Sequence, residues 1–440
     1  METDRERTER RNPVRGVLDR TFASLAVRNF RLFAGGQLVS VAGTWMMVVA
    51  QDWLVLSLTD DSAGALGAVT ALQFAPLLLL TLHAGGLADR HDKRRLLTAA
   101  NLVSGVCAAA LAALVLTDGV RLWHVFVFAL LLGSVNAVEV PARMAFVSEL
   151  VGADLLPNAS ALSAAYFNLA RVLGPAAAGL LVAWWGTGPV MLVNAVSYLA
   201  TVAGLRMIRP AELHRAAVRP RRARVRAGVR HLLDRQDLLP PMALVAVTGM
   251  IGYNFQLTLP LLARTVFDTD AAAFGLLTAA FAAGSLLAAF ATTARRGRPP
   301  LRLVTGAALA LGMFQALAGL APGFPTALAL LCAVGFASVY FAQAANHHIQ
   351  LGTDPAFRGR VMALYTLLFQ GTTPVGALLT GAVAGAYGVR WAMVGAGVLC
   401  TLAAVVAPAA ARRRGGLPGT ARAPEPEAEP SAPPRIPDGS

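Results

Sequence analysis

One feature constrains this chain more than any other: apolar stretches of about 18 to 25 residues, with few charges, follow one another from residue 33 to residue 411. At 1.5 Å per residue, such a stretch wound as a helix crosses a hydrocarbon layer about 30 Å thick. The spans read at 33–57, 65–84, 96–116, 123–141, 158–184, 188–206, 239–262, 271–292, 302–320, 326–350, 361–386 and 390–411, twelve in all, with mostly short connections. A soluble protein would hide helices this apolar in a core. With 56% of residues hydrophobic and 14% charged, there is too little polar surface to cover one, so the bilayer is the solvent. A membrane β-barrel would instead alternate apolar and polar residues in runs of about ten. The expected fold class is an all-α membrane protein with twelve transmembrane helices.

Charge sets the expected topology. Among the 38 Lys and Arg residues, Arg121, Arg264 and Arg390 alone fall in one alternate set of connections, and Arg171 alone lies well inside a span. The rest collect at the other face, which the positive-inside rule makes the cytoplasmic one. An even number of spans then places both termini there. The first thirty residues are too polar to hold the apolar core of a cleavable signal peptide. The basic run 219–235, "RPRRARVRAGVRHLLDR", belongs to the same pattern: facing an anionic inner leaflet, it requires no nucleic-acid partner. Cys107, Cys332 and Cys400 sit in separate apolar spans at unrelated spacings, which suits neither a disulfide framework nor a metal site. No phosphate-binding G-x-x-x-x-G-K-S/T loop occurs and no cofactor is implied, so uphill transport by such a chain would draw on an ion gradient.

The chain divides as 1–31, a basic cytoplasmic segment; 32–206, a first set of six helices; 207–238, a basic linker; 239–411, a second set of six; and 412–440, a Pro-, Gly- and Ala-rich tail expected to be disordered. The two sets repeat one another. "ALGAVTALQFAPLLLL" (65–80) matches "AFGLLTAAFAAGSLLA" (273–288), and "RVLGPAAAGLL" (171–181) matches "QGTTPVGALLT" (370–380). A duplicated bundle enclosing a central cavity is a common construction of secondary transporters.

Between the second and third spans stands "GGLADRHDKRRLL" (85–97). Gly85, Leu87, Asp89, Arg90, Lys93, Arg94 and Leu97 fall on the loop signature G-x-L-a-D-R-x-G-R-R/K-x-x-L, with Asp92 in place of its Gly. With "AQDWLVLSLT" (50–59), "VEVPAR" (138–143), "NFQLTLPLLARTVF" (254–267) and "RGRVMALY" (358–365), the chain resembles the major facilitator superfamily, in the branch of macrolide-efflux and enterobactin-exporter-like proteins. "LARVLGPAAAG" (169–179) is similar to the antiporter motif of helix five, keeping Gly174, Pro175 and Gly179 but carrying Ala at 161, 170 and 178. The resemblance implies two pseudo-symmetric six-helix bundles and alternating-access export of a small amphiphilic compound, exchanged for protons, by a bacterial inner-membrane protein acting as a monomer. A metabolite importer or uniporter of the same fold, and a non-transporting scaffold or receptor, are the alternatives. An enzyme is not expected, because no His/Asp or Ser/His cluster gathers near one face.

Three groups of residues are candidates for function. In the first, a carboxylate at the inner rim caps a helix start of the opposite half, where free N–H groups and the dipole favour negative charge. Asp89 is expected to dock on the start of helix eleven at Arg358, Gly359 and Arg360, with Glu139 and Arg143 completing a latch that breaks when the cavity opens inward. In the second, Asp52 and Arg171 are the intramembrane charges. Burial raises a carboxyl pKa and a nearby cation lowers it, so such a group can exchange protons. Asp52 reads equally as a proton or cation site and as a structural ion pair, and Arg171 rather as a structural partner. In the third, Gln73, Phe74, Tyr253, Asn254, Gln256 and Gln370 are expected cavity contacts, since polar groups facing lipid are costly. His347-His348 reads as a polar helix end rather than a metal site or relay, because adjacent helical residues diverge by about 100°.

Overall fold

The computed structural model describes residues 22–214, 230, 232, 235, 237–293, 297–355 and 357–413, with the backbone alone at 81–90, 293 and 408–413. The described residues form helices and turns and no strand: α1 (Arg28–Leu58), α2 (Ala63–Arg90), α3 (Lys93–Leu116), α4 (Leu122–Trp185), α5 (Thr187–Met207), α6 (Leu239–Val247), α7 (Phe255–Leu261), α8 (Ala271–Thr293), α9 (Leu301–Gly319), α10 (Phe324–Gly352), α11 (Arg358–Gln370), α12 (Thr373–Tyr387) and α13 (Val389–Arg413). Eleven helical stretches are long and apolar enough to cross a membrane, with α6 to α7 and α11 to α12 each counted as one.

The longest helix departs from the sequence expectation. α4 covers 64 residues as two helical stretches that meet at a kink, each long enough to cross a hydrocarbon layer. It contains both the fourth and fifth expected spans. Residues 142–157, read as a connection, are helical because their own apolar side chains have a core to enter: Phe146, Leu150 and Val151 pack with Phe30, Phe33 and Leu205. Phe33 and Phe146 meet edge to face at 5.4 Å. The interruption comes at Gly152, whose φ of 72° and ψ of −177° belong to no helix and to no residue bearing a Cβ.

Two other spans are broken. A π-helical turn at Thr248–Gly252 separates α6 from α7, and a second, Leu262–Val266, follows Pro260. α11 gives way to α12 at Gly371 and Thr372, and Pro374, in the first turn of α12, has no N–H to continue the earlier ladder.

The segments before and after the linker meet along two seams, α2 against α12 and α4 against α8. Each is a glycine pair. A Cβ on Gly275 would stand 2.9 Å from the Cα of Gly179, and one on Gly67 would stand 3.3 Å from the Cα of Gly381. Gly67 and Gly275 are the same position of the internal repeat, third in "ALG" and third in "AFG". Both seams lie toward the end that bears the Thr59–Asp61 turn. The same end carries exposed Trp123, Trp184, Trp185, Tyr387 and Trp391, an interfacial aromatic girdle, while Leu79, Val106, Val196, Phe290 and Val405 stay exposed between the ends, as lipid-facing residues do.

Candidate functional site

A cavity of about 570 Å³ opens between the two halves, within the size range of small-molecule sites. α1 contributes Trp45 and Asp52. α4, beyond Gly152, contributes Phe167, Asn168, Arg171 and Pro175, and the broken α6–α7 span Tyr253, Phe255 and Gln256. α8 brings Phe274 and Phe281, α10 brings Ser338, Gln343 and Asn346, and α11 brings Tyr365 and Phe369. Among the lining residues, Asp52 and Arg171 carry the charges.

Arg171 is held by three contacts. Its Nη2 donates to Ser285 Oγ at 2.8 Å across the α4–α8 seam, and the guanidinium carbon lies 5.9 Å from the Trp45 ring centre and 5.6 Å from that of Phe281. It forms no ion pair with a described residue. Asp52 is fully buried at 0% exposure, with neither carboxylate oxygen hydrogen-bonded to a described residue. The aromatic wall is closely packed. Tyr253 meets Phe369 at 4.8 Å and donates its hydroxyl to Ser338 O at 2.5 Å, and Phe255 meets Phe281 at 4.5 Å.

The remaining expected cavity contacts take other places. Gln256 Nε2 donates to Gln73 Oε1 at 3.0 Å, a bridge between the halves that ties Gln73 to the wall without lining it. Phe74 stands off the wall. Asn254 is buried at the step into α7, donating to Met250 O at 2.8 Å, and Gln370 is exposed at the end of α11. In the helix-five motif, Gly174 admits Trp45 of α1 and Gly179 admits α8.

Beyond the cavity, the end bearing the Thr59–Asp61 turn is closed by side chains as well. Arg264 Nε lies 2.8 Å from Asp61 Oδ1, its guanidinium covers the Trp53 ring at 4.9 Å, and Trp53 stacks on Phe274 at 6.4 Å. No sequence signal marks this set, because Asp61 and Arg264 are about two hundred residues apart in separate loops.

At the opposite end, Gly85, Asp89 and Arg90 fall in the last turns of α2, outside the described side chains. Asp92 caps α3, its Oδ1 accepting from Arg95 N at 3.0 Å. Lys93 pairs with Glu149 at 2.7 Å, and Arg94 donates to Leu205 O and Arg206 O at 2.6 and 3.0 Å, satisfying carbonyls at the end of α5. Arg143 lies 3.3 Å from both Glu139 Oε1 and Gln37 Oε1. At the start of α11, Arg360 lies over Phe357 at 5.3 Å, Gly359 is exposed, and Arg358 Nε is buried with no described partner. In the second half, Asp237 lies 2.9 Å from Arg298, which also reaches His348 at 3.0 Å, so the histidine pair ends a helix within a charge cluster. Burial opposes the charged form of Asp237, but hydrogen bonds from Arg235 and Arg298, with their charges, outweigh it and hold the carboxyl below its usual range.

A family profile described as transmembrane secretion effector matches residues 19–427. The chain belongs to this family, a branch of the major facilitator superfamily. It is 27% identical over 372 residues to the multidrug efflux pump Tap of Mycolicibacterium fortuitum, covering 82% of this chain and 89% of that one. It is 28% identical to the staphyloferrin A transporter of Staphylococcus aureus over 265 residues, 59% of this chain and 65% of that one. Among solved structures, the inward-facing, occupied form of a bacterial homologue of the human lysosomal transporter Spinster superposes with a TM-score of 0.71 at 15% identity, covering 88% of this chain and 97% of that one. That likeness speaks for the fold alone. As a transmembrane secretion effector the chain is a multi-pass membrane transporter of an efflux family and not an enzyme, so the cavity is read as a place where a solute binds rather than reacts.

Proposed function

We propose that this protein is a twelve-span exporter that alternates access to the cavity from the two sides of a bacterial cell membrane and expels a small amphiphilic compound in exchange for protons. The break at Gly152 supports counting α4 as two passes, and the glycine seams at equivalent repeat positions support two six-helix bundles, 32–206 and 239–411, that rock against one another. With the basic face inward, both termini are cytoplasmic, the Asp61 end is extracellular, and the conformation is inward-open. The observation that carries the reading is the cavity itself: a chamber between the halves lined by eight aromatic side chains, closed at one end, with one carboxyl and one guanidinium in its wall. An ionised carboxylate without hydrogen bonds in such surroundings is costly, which suits Asp52 to taking up and releasing a proton as its access to water alternates. Asp89 is the latch of the opposite state, docking on the start of α11 when the inner side closes. The transported partner is a small molecule and the working unit a monomer.

The test is accumulation of a panel of dyes, macrolides and siderophores in cells that express the native protein or Asp52→Asn, with and without an uncoupler. The expected result is lower accumulation that needs both the gradient and Asp52. Export that survives the uncoupler would overturn proton coupling, and accumulation raised by the native protein would overturn the direction.

A further inference from the structure

A guanidinium inside a membrane-spanning bundle is costly and is ordinarily matched by a carboxylate. Arg171 is not. The cavity's other charge, Asp52, is fully buried and forms no ion pair with it, whereas Arg171 is partly exposed and lines the cavity. Ser285 takes one of the five N–H donors of the guanidinium. The guanidinium carbon lies over the Trp45 and Phe281 rings, contacts that hold the group in place without using its N–H donors, so donors of the planar fork are left for a ligand. That fork fits a carboxylate or similar oxyanion with two parallel hydrogen bonds. The neutral amides of Asn168, Gln343 and Asn346 line the same cavity and can donate further bonds.

We propose that this cavity selects anionic amphiphiles, with Arg171 as the anchor of the anionic group and the Trp45 and Phe281 rings as the seat of the apolar body. The proposal rests on the export reading for its physiological meaning but concerns the chemistry of the binding site. In the native protein the ligand supplies the counter-charge that no described residue provides, so compounds with an oxyanion bind and compounds whose charge is a cation do not gain from the same contact. A cationic compound would have to reach Asp52, which belongs to the cavity wall but is fully buried, at 0% exposure, in this conformation.

Two xanthene dyes with similar ring systems and opposite charge test this: fluorescein, an anion at neutral pH, and rhodamine 123, a cation. Their binding to the purified full chain in an uncharged detergent is read by fluorescence anisotropy. Fluorescein is expected to bind at least about ten-fold more tightly than rhodamine 123, the scale of a charge-assisted hydrogen bond or two. Arg171→Gln should weaken fluorescein by a similar factor and leave rhodamine 123 unchanged, and Arg171→Lys should restore part of the loss. Equal or tighter binding of rhodamine 123 by the native protein overturns the proposal, and that comparison requires no variant to fold. Undiminished fluorescein binding by a folded Arg171→Gln protein overturns it too. Flux in proteoliposomes keeps the two readings apart. Arg171-dependent fluorescein binding with no gradient-driven flux sinks export and leaves the anion site, while flux of rhodamine 123 without fluorescein binding keeps export and removes the anion site.

Discussion

The two ends of the molecule are held by different forces. Toward the Asp61 end the halves touch backbone to backbone, Gly179 on Gly275 and Gly67 on Gly381, with the Asp61, Arg264, Trp53 and Phe274 set beside them. At the opposite end, hydrogen bonds and ion pairs between described residues stay within one half: Lys93 with Glu149 in the first, Arg235 and Arg298 with Asp237 in the second. Dispersion contacts between backbones fall off within an ångström, so a glycine seam is either made or lost. Charge pairs within a half do not oppose separation of the halves, and they keep each half rigid while it turns. A device that opens at one end and closes at the other needs this division.

The largest effect is expected from the seam. Gly275→Ala places a Cβ 2.5 Å from Pro175 O and 2.9 Å from Gly179 Cα, and overpacking of this kind costs about 1–3 kcal/mol. Transport should fall at least about ten-fold, and spin labels across the Asp61 end should report a longer distance. Unchanged distance and transport would show that the seam is not what closes that end.

Next in size is a pair of opposed shifts. Asp61→Asn removes an ion pair whose side chains are 33% and 32% exposed, so it is worth about 1 kcal/mol or less, at most about a five-fold change in population. It should move the protein toward the outward-open state, and Asp89→Asn, by weakening the proposed latch, toward the inward-open one. Cysteine accessibility in the cavity from each side of the membrane reads the direction. Shifts of the same sign would refute the assignment of the two residues to opposite states.

The smallest effect concerns a cluster inside one half. The folded-state pKa of Asp237 is depressed, so its contribution is present above the unfolded carboxyl pKa of about 3.9 and is lost as pH falls through the folded value. With partners about a third exposed, it amounts to no more than about 1 kcal/mol. Asp237→Asn should therefore melt a few degrees below the native protein at pH 7 and converge with it as the pH falls below the ordinary carboxylate range, with transport little altered.

Much of this was readable in the residues. Apolar length marked the long apolar helices that the structure shows, because hydrocarbon thickness leaves few choices, and Asp52, Arg171, Tyr253 and Gln256 stood out as polar groups where polar groups are scarce. All four line the cavity. The aromatic wall did not stand out. In a soluble helix the apolar face marks the interior, but lipid is as apolar as a core, so Trp45 and Phe281 look no different in sequence from lipid-facing Trp184 and Phe290. Gln73 and Asn254 were legible as polar but not as bridge and helix step, since their partners Gln256 and Met250 are defined by folded geometry.

What the residue order settles is the solvent: apolar runs of membrane length, the crowding of Lys and Arg on alternate connections, and a repeat that places glycine at 67 and again at 275. These are one-dimensional properties, and the bilayer reads them one helix at a time. Tertiary structure decides which groups meet. It gives Lys93 to Glu149, Asp61 to Arg264 and Ser285 to Arg171, and among the described residues it leaves Arg171 without a carboxylate. Such pairings depend on distances of a few ångströms between helices far apart in the chain, and no local pattern of residues encodes them.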